Sequence, residues 1–223
     1  MKRLLIFDFD GVLADSELPA NAVLAEIVTE LGVPMTADDS LRDFMGKRLR
    51  DVVAAVETKV GRPLPADFTA MFQQRTLQRF REGLQLVDGA RAYVETFAHV
   101  PRCIASASSP DRLALCLDLL DLAGLFGPNV FSASQVARGK PFPDVFLFAA
   151  ESMGVPPGDA LVIEDSAGGI QGAVAAGMTT IGLLAASHIR DGHAERLKAA
   201  GAHHIARTFA EATEISRRVL VGA

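Results

Sequence analysis

Four consecutive apolar residues, Leu4-Leu5-Ile6-Phe7, stop at Asp8-Phe9-Asp10-Gly11. The run is too short for a helix, and its lack of alternation suits a strand covered on both faces, as in a parallel α/β sheet. Carboxylates cannot continue such a strand, so the chain must leave the sheet there, and Gly11 permits an immediate turn. Two acids spaced i, i+2 on extended backbone point the same way, about 6.6 Å apart along the chain. In open parallel sheets, ligands bind beyond the carboxyl ends of the strands. Asp8 and Asp10 fall at that position.

The same transition recurs downstream. Arg102-Cys103-Ile104-Ala105 leads into Ser106-Ala107-Ser108-Ser109, with Pro110 suited to the first position of a helix capped by Ser109. Ala160-Leu161-Val162-Ile163 runs into Glu164-Asp165-Ser166 and a small-residue helix ending at Gly177. Shorter strands are expected near Val130-Phe131, from Thr179 to Leu184 and from His203 to Ala206, with helices through Val145-Phe148 and Asp191-Ala200 between them. Thr208 and Glu211 have the spacing of a capping box for a final helix.

Residues 15–86 interrupt this alternation. Leu24, Ile27, Val28 and Leu31 form one helical stripe, ended by Gly32 and Pro34. Leu41, Phe44, Met45, Leu49, Val52, Val53 and Val56 form a second, and Phe68, Met71, Phe72 and Phe80 a third. No strand pattern occurs among them. The layout predicts an α/β core from residues 1–14 and 87–223, with a small helical domain, 15–86, inserted after the first strand.

Charge narrows the function classes. The chain of 223 residues carries 22 basic against 27 acidic residues, formal charge -5, without a long basic run, which argues against a nucleic-acid or membrane partner. Met1-Lys2-Arg3 and the apolar run mimic the start of a signal peptide, but the run ends at Asp8, short of the ~7–15 residues required. Cytoplasmic location is expected. The two cysteines, Cys103 and Cys116, lie in apolar segments, where buried packing is the expected role.

The motif apolar strand, Asp-x-Asp-Gly-Val-Leu-x-Asp-Ser, followed by the Ser106 strand end, Gly139-Lys140-Pro141-x-Pro143 and Glu164-Asp165, resembles the haloacid dehalogenase-like (HAD) superfamily. The resemblance is to the subgroup of β-phosphoglucomutase and small sugar-phosphate phosphatases, and it covers the whole chain. It implies a Rossmann-like parallel-sheet core with an inserted helical cap that selects substrates. The implied activity is Mg2+-dependent hydrolysis of a small phosphorylated metabolite, by a monomer or small homo-oligomer.

The residue types make physical sense together. Asp8, Asp10, Glu164 and Asp165 bring up to four negative charges into one crevice, and each close pair at ~4 Å costs roughly 4 kcal/mol at an effective dielectric of 20. A hard divalent cation with oxygen ligands removes that repulsion, and Mg2+ suits carboxylates plus substrate phosphate. Lys140 adds one positive charge. With Asp10 protonated for an acid role, the site is neutral before a phosphate dianion arrives. The resemblance implies Asp8 as nucleophile, Asp10 as acid and then base, and Ser106 with the Ala107 amide on the phosphoryl oxygens. It also implies metal ligation by Asp8, the Asp10 carbonyl and Asp165, with Glu164 as a ligand or a supporting acid.

Lys47 and Arg48, within a basic cluster around Gly46, are candidates to grip an anionic substrate group. Adjacent His203 and His204 point to opposite faces of a strand and form no ligand pair. His188 follows the Thr179-Leu184 strand on the expected active-site edge and is a candidate to touch substrate. Two rival readings are a phosphomutase and a non-catalytic sugar-phosphate binding module. The mutase subgroup carries a cap histidine where Ala20 stands here, which lowers the first, and the complete motif set speaks against the second. Asp10 speaks against a dehalogenase.

Overall fold

The computed structural model describes residues 4–44 and 49–221. Six strands form one sheet in the order β3-β2-β1-β4-β5-β6, and every pairing is parallel. They are β1 (Leu4–Phe7), β2 (Arg102–Ser106), β3 (Val130–Ser132), β4 (Ala160–Glu164), β5 (Thr179–Leu183) and β6 (His204–Ala206). The helices are α1 (Glu17–Glu30), α2 (Ala37–Phe44), α3 (Leu49–Val60), α4 (Phe68–Gly83), α5 (Ala90–Thr96), α6 (Pro110–Leu119), α7 (Ala123–Phe126), α8 (Asp144–Ser152), α9 (Ala167–Ala175), α10 (His193–Ala199) and α11 (Phe209–Val221). The α/β class expected from the strand-then-acid pattern is the one observed.

The unbroken apolar run of β1 follows from its central place. Leu4 and Ile6 join a core with Cys103, Ala105, Val162, Val145, Phe146 and Ala173 on one face of the sheet. Phe7 points the other way, as strand alternation requires. Its ring meets Tyr93 and Phe126 edge-on, with centroids 5.8 and 5.7 Å away. Both faces are thus covered by helices, and no position in the strand tolerates a polar residue.

The chain divides into two compact units, residues 1–15 with 85–223, and 16–84. The second unit contains α1 to α4 around Val23, Leu24, Ile27, Val28, Phe44, Val52, Val56 and Phe68. The stripe read as one helix from Leu41 to Val56 runs along α2 and α3. Residues 45–48 between them lie outside the described residues, and Lys47 and Arg48 are among these. In the first unit, the stretches on either side of the helical insertion pair with each other. Asp15 N donates to Gln85 O at 2.9 Å and Val87 N to Leu13 O at 3.0 Å, across an antiparallel Ala14–Leu86 bridge. Among the described residues, no helix is long and apolar enough to cross a membrane.

Candidate active site

Because all six strands run the same way, their carboxyl ends share one edge. β1 lies between β2 and β4, so the ends that carry Asp8, Ser106 and Glu164-Asp165 are neighbours. Asp8 N still donates to Ile163 O at 3.0 Å, the last ladder bond before the chain turns out of the sheet.

Lys140 joins two of these acids. Its Nζ donates to Asp8 Oδ1 and to Glu164 Oε1, at 2.7 Å each. Its side chain is only 9% exposed, so these are charge-assisted bonds largely withdrawn from water. The other Glu164 oxygen accepts from Ser166 N at 2.6 Å and Ser166 Oγ at 2.9 Å. Ser166 Oγ in turn accepts from Gly169 N at 3.0 Å, capping α9. One serine therefore starts the helix and anchors a buried carboxylate.

Asp8, Glu164 and Asp165 are all buried, and one carboxylate oxygen from each lies within 4.8 Å of the others. Burial holds the Asp8 carboxyl well above its ordinary pKa; Lys140 opposes this, while Glu164, Asp165 and Asp10 reinforce it. Burial alone would lower the Lys140 pKa, but Asp8 and Glu164 outweigh it and hold the ammonium above the usual lysine value. Three buried acids against one ammonium leave an excess of negative charge. An all-oxygen set of this kind fits a hard divalent cation. The backbone makes room for it. A Cβ on Gly11, whose φ is +77°, would lie 2.0 Å from Asp165 Oδ2, and one on Gly169 would lie 1.7 Å from Glu164 Oε1. Glycine at both places is what lets the acids turn inward.

Asp10 stands in an adjoining cluster. Its Oδ2 accepts from Ser108 Oγ and its Oδ1 from Arg112 Nη2, both at 2.5 Å. Ser106, fully buried at the end of β2, accepts from Ser108 N at 3.1 Å. Ser132 Oγ donates to Ser108 O at 2.7 Å, so the loop after β2 is fixed from the neighbouring strand as well. Ala107 is exposed in that loop. Ser109 caps α6 as its sequence position suggests, accepting from Arg112 N.

Sequence reasoning passed over Ser108, Arg112, Ser166 and Gly169. Arg112 did carry a signal: a guanidinium in the first turn of a helix is opposed by the helix dipole. The Asp10 carboxylate supplies the offsetting charge. His188 lies against Asp165, with Nε2 3.1 Å from Oδ2. Cys103 and Cys116 are free and buried, and burial pushes the Cys116 thiol up to about 11. Neither has the character of a nucleophile.

Comparison with known proteins places the chain in a family. The phosphorylated carbohydrates phosphatase of Thermotoga maritima is 33% identical over 187 residues, covering 79% of this chain and 82% of that protein. The 6-phosphogluconate phosphatase of Escherichia coli is 24% identical over 185 residues, covering 82% and 83%. Among solved structures, a haloacid dehalogenase-like protein from Agrobacterium tumefaciens is 35% identical, with a TM-score of 0.88 over 97% of this chain and 98% of the other. The model of the haloacid dehalogenase-like hydrolases matches residues 2–177. A match running from before β1 to beyond α9 takes in the ends of β1, β2 and β4 and the Lys140 loop, and the chain belongs to the haloacid dehalogenase-like hydrolase family, as an enzyme.

Proposed function

We propose that this enzyme hydrolyses phosphoric monoesters of small carbohydrates, a sugar, polyol or sugar-acid phosphate, with Asp8 as nucleophile. The observation that carries the reading is Lys140 Nζ bonded at 2.7 Å to both Asp8 Oδ1 and Glu164 Oε1 inside a buried acid set. An ammonium in contact with the attacking carboxylate also balances charge on the phosphoryl group as transfer proceeds. The names of the Thermotoga maritima and Escherichia coli relatives support the substrate class.

Asp8, Asp165 and the Asp10 carbonyl are the groups that would hold Mg2+, with Glu164 beside them. When bound, the cation neutralises the acids and withdraws charge from the phosphoryl oxygens. In the first half-reaction an Asp8 oxygen bonds to phosphorus as the ester P–O bond breaks, and Asp10 gives its proton to the departing oxygen. In the second, water attacks phosphorus and loses a proton to Asp10, while the bond to Asp8 breaks and inorganic phosphate leaves. The first step requires the Asp10–Arg112 pair to open, because a carboxylate clasped by a guanidinium does not carry the proton. Ser106 and the Ala107 amide donate to the phosphoryl oxygens. Glu164, with both oxygens engaged, holds Lys140 in place.

The helical unit selects the substrate, and Lys47 with Arg48 contributes the grip on its anionic group. Replacing both and finding unchanged kcat and KM on the best substrate would remove them from the site.

The reading is tested by phosphate release across sugar, polyol and sugar-acid phosphates, with Mg2+ and after chelation, beside Asp8→Asn. Release that depends on Mg2+ and disappears in Asp8→Asn is expected. Equal release by the two proteins would refute it.

A further inference from the structure

We infer that His188 is a positioning residue, holding the Asp165 carboxylate ready for a divalent cation, while His193 braces the same residue from its backbone. The inference rests on the metal-site reading above.

Two imidazoles from one short stretch converge on Asp165. His188 Nε2–H donates to Asp165 Oδ2 at 3.1 Å, and His193 Nε2 lies 2.6 Å from Asp165 O. The histidines are 2% and 6% exposed, and their rings stand 6.0 Å apart at 77°. The His193 tautomer follows from its other neighbour. Arg196 Nη2 is 2.9 Å from His193 Nδ1, and a guanidinium can only donate. Nδ1 therefore accepts, and Nε2 carries the hydrogen that reaches the Asp165 carbonyl. Burial, with Arg196 and His188 nearby, lowers the His193 pKa, which agrees with a neutral ring.

The contact is built in from below and from the side. A Cβ on Gly11 would lie 2.0 Å from Asp165 Oδ2 and 3.0 Å from His188 Cε1, so the carboxylate–imidazole pair rests directly on that glycine. The residue before His188 is pinned too: Ser187 N and Oγ donate to Asp15 Oδ1 at 3.1 and 2.8 Å. The loop cannot carry the imidazole away without giving up both bonds.

This arrangement answers an electrostatic problem. Lys140 bonds Asp8 and Glu164, and Asp165 shares the crowd of like charges within 4.8 Å. A carboxylate free to rotate would swing away from the other two until a cation arrived, and binding would then bear the cost of bringing it back. A fixed donor on Oδ2 removes that rearrangement.

The test is calorimetric titration of Mg2+ into the full chain, wild type and variant, with metal-free melting measured in parallel. His188→Phe keeps the ring volume and deletes the donor; His188→Gln restores a donor. His188→Phe is expected to weaken Mg2+ binding by about 10- to 100-fold while metal-free melting stays near wild type, with His188→Gln recovering most of the loss. A wild-type dissociation constant in His188→Phe would overturn the inference. Should that variant fail to fold, His188→Asn, too short to span the gap, carries the same expectation and the same refutation. A wild-type chain that binds no Mg2+ would instead bring down the metal-site reading, and this inference with it.

Discussion

Arg112 Nη2 lies 2.5 Å from Asp10 Oδ1, so the carboxylate assigned to proton transfer is clasped by a guanidinium from the first turn of the next helix. With Ser108 Oγ on the other oxygen, the side chain is held at two points. The clasp must open for the acid step but aims the ionised carboxylate that takes the proton of water in the second, so Arg112→Ala is expected to lower kcat about tenfold, a fraction of the ~10²–10⁴ that general acid–base catalysis contributes. KM should change little. Arg112→Lys, which lacks the planar fork, should recover only part of the rate. Steady-state kinetics on the best substrate checks this, and an unchanged kcat in Arg112→Ala would reduce the pair to a surface contact.

Asp8 illustrates a conflict between activity and stability. Its folded pKa is raised, chiefly by burial, so its contribution is present below the unfolded carboxyl value of ~3.9 and is lost as pH rises through the folded value. Above that folded value the ionised carboxylate costs stability. Asp8→Asn should abolish turnover and raise the metal-free melting temperature, by ~2–4 °C if about 1 kcal/mol is recovered. Scanning calorimetry without metal is the check, and a lower melting temperature would contradict the sign.

Lys140 works in the opposite sense. Lys140→Met leaves Asp8 and Glu164 buried without their shared ammonium, and breaking a buried pair from one side costs about 3–5 kcal/mol. The lysine's folded pKa is raised, so its stabilisation is fully present below the unfolded value of ~10.4 and is lost only at more alkaline pH. The lysine itself therefore adds no pH dependence between pH 6 and pH 9, but the Asp8 carboxyl, which Lys140 holds down, rises further without it, so the loss in Lys140→Met should be smaller at pH 6 than at pH 9. Denaturant titration at both values measures it.

Gly169 offers a test in which local propensity and packing disagree. It sits inside α9, where alanine is favoured over glycine by about 1 kcal/mol. Its added Cβ would nevertheless fall 1.7 Å from Glu164 Oε1. Gly169→Ala is expected to destabilise the protein and to cut turnover by displacing Glu164 from Lys140. A stabilised, fully active variant would show that the carboxylate can move without consequence.

The strand-end acids were legible because burial on both faces forbids charge inside β1 and β4, so each transition from apolar to acidic marks where the sheet stops. Ser106 and Lys140 could be read from their motifs. Arg112 could not be paired with Asp10 in the same way, since a long side chain reaches across loops that periodicity does not describe. His188 was placed on the correct edge, but its contact with Asp165 depends on how the chain after β5 folds back, and a sequence pattern carries no such information. At the last helix, Glu211 lies at the expected spacing from Thr208, but its carboxylate accepts from Arg207 N, one residue earlier than a capping box requires.

The Ala14–Leu86 bridge has a topological consequence. Asp15 N to Gln85 O and Val87 N to Leu13 O fasten the entry and the exit of the helical insertion side by side. The α/β chain is thereby continuous in space although interrupted in sequence, and the cost of closing the intervening loop grows only slowly with its length. To the sheet, the insertion is a cassette in a two-pronged socket: its length and composition can be exchanged while β1 and its acids stay in register with β2 and β4.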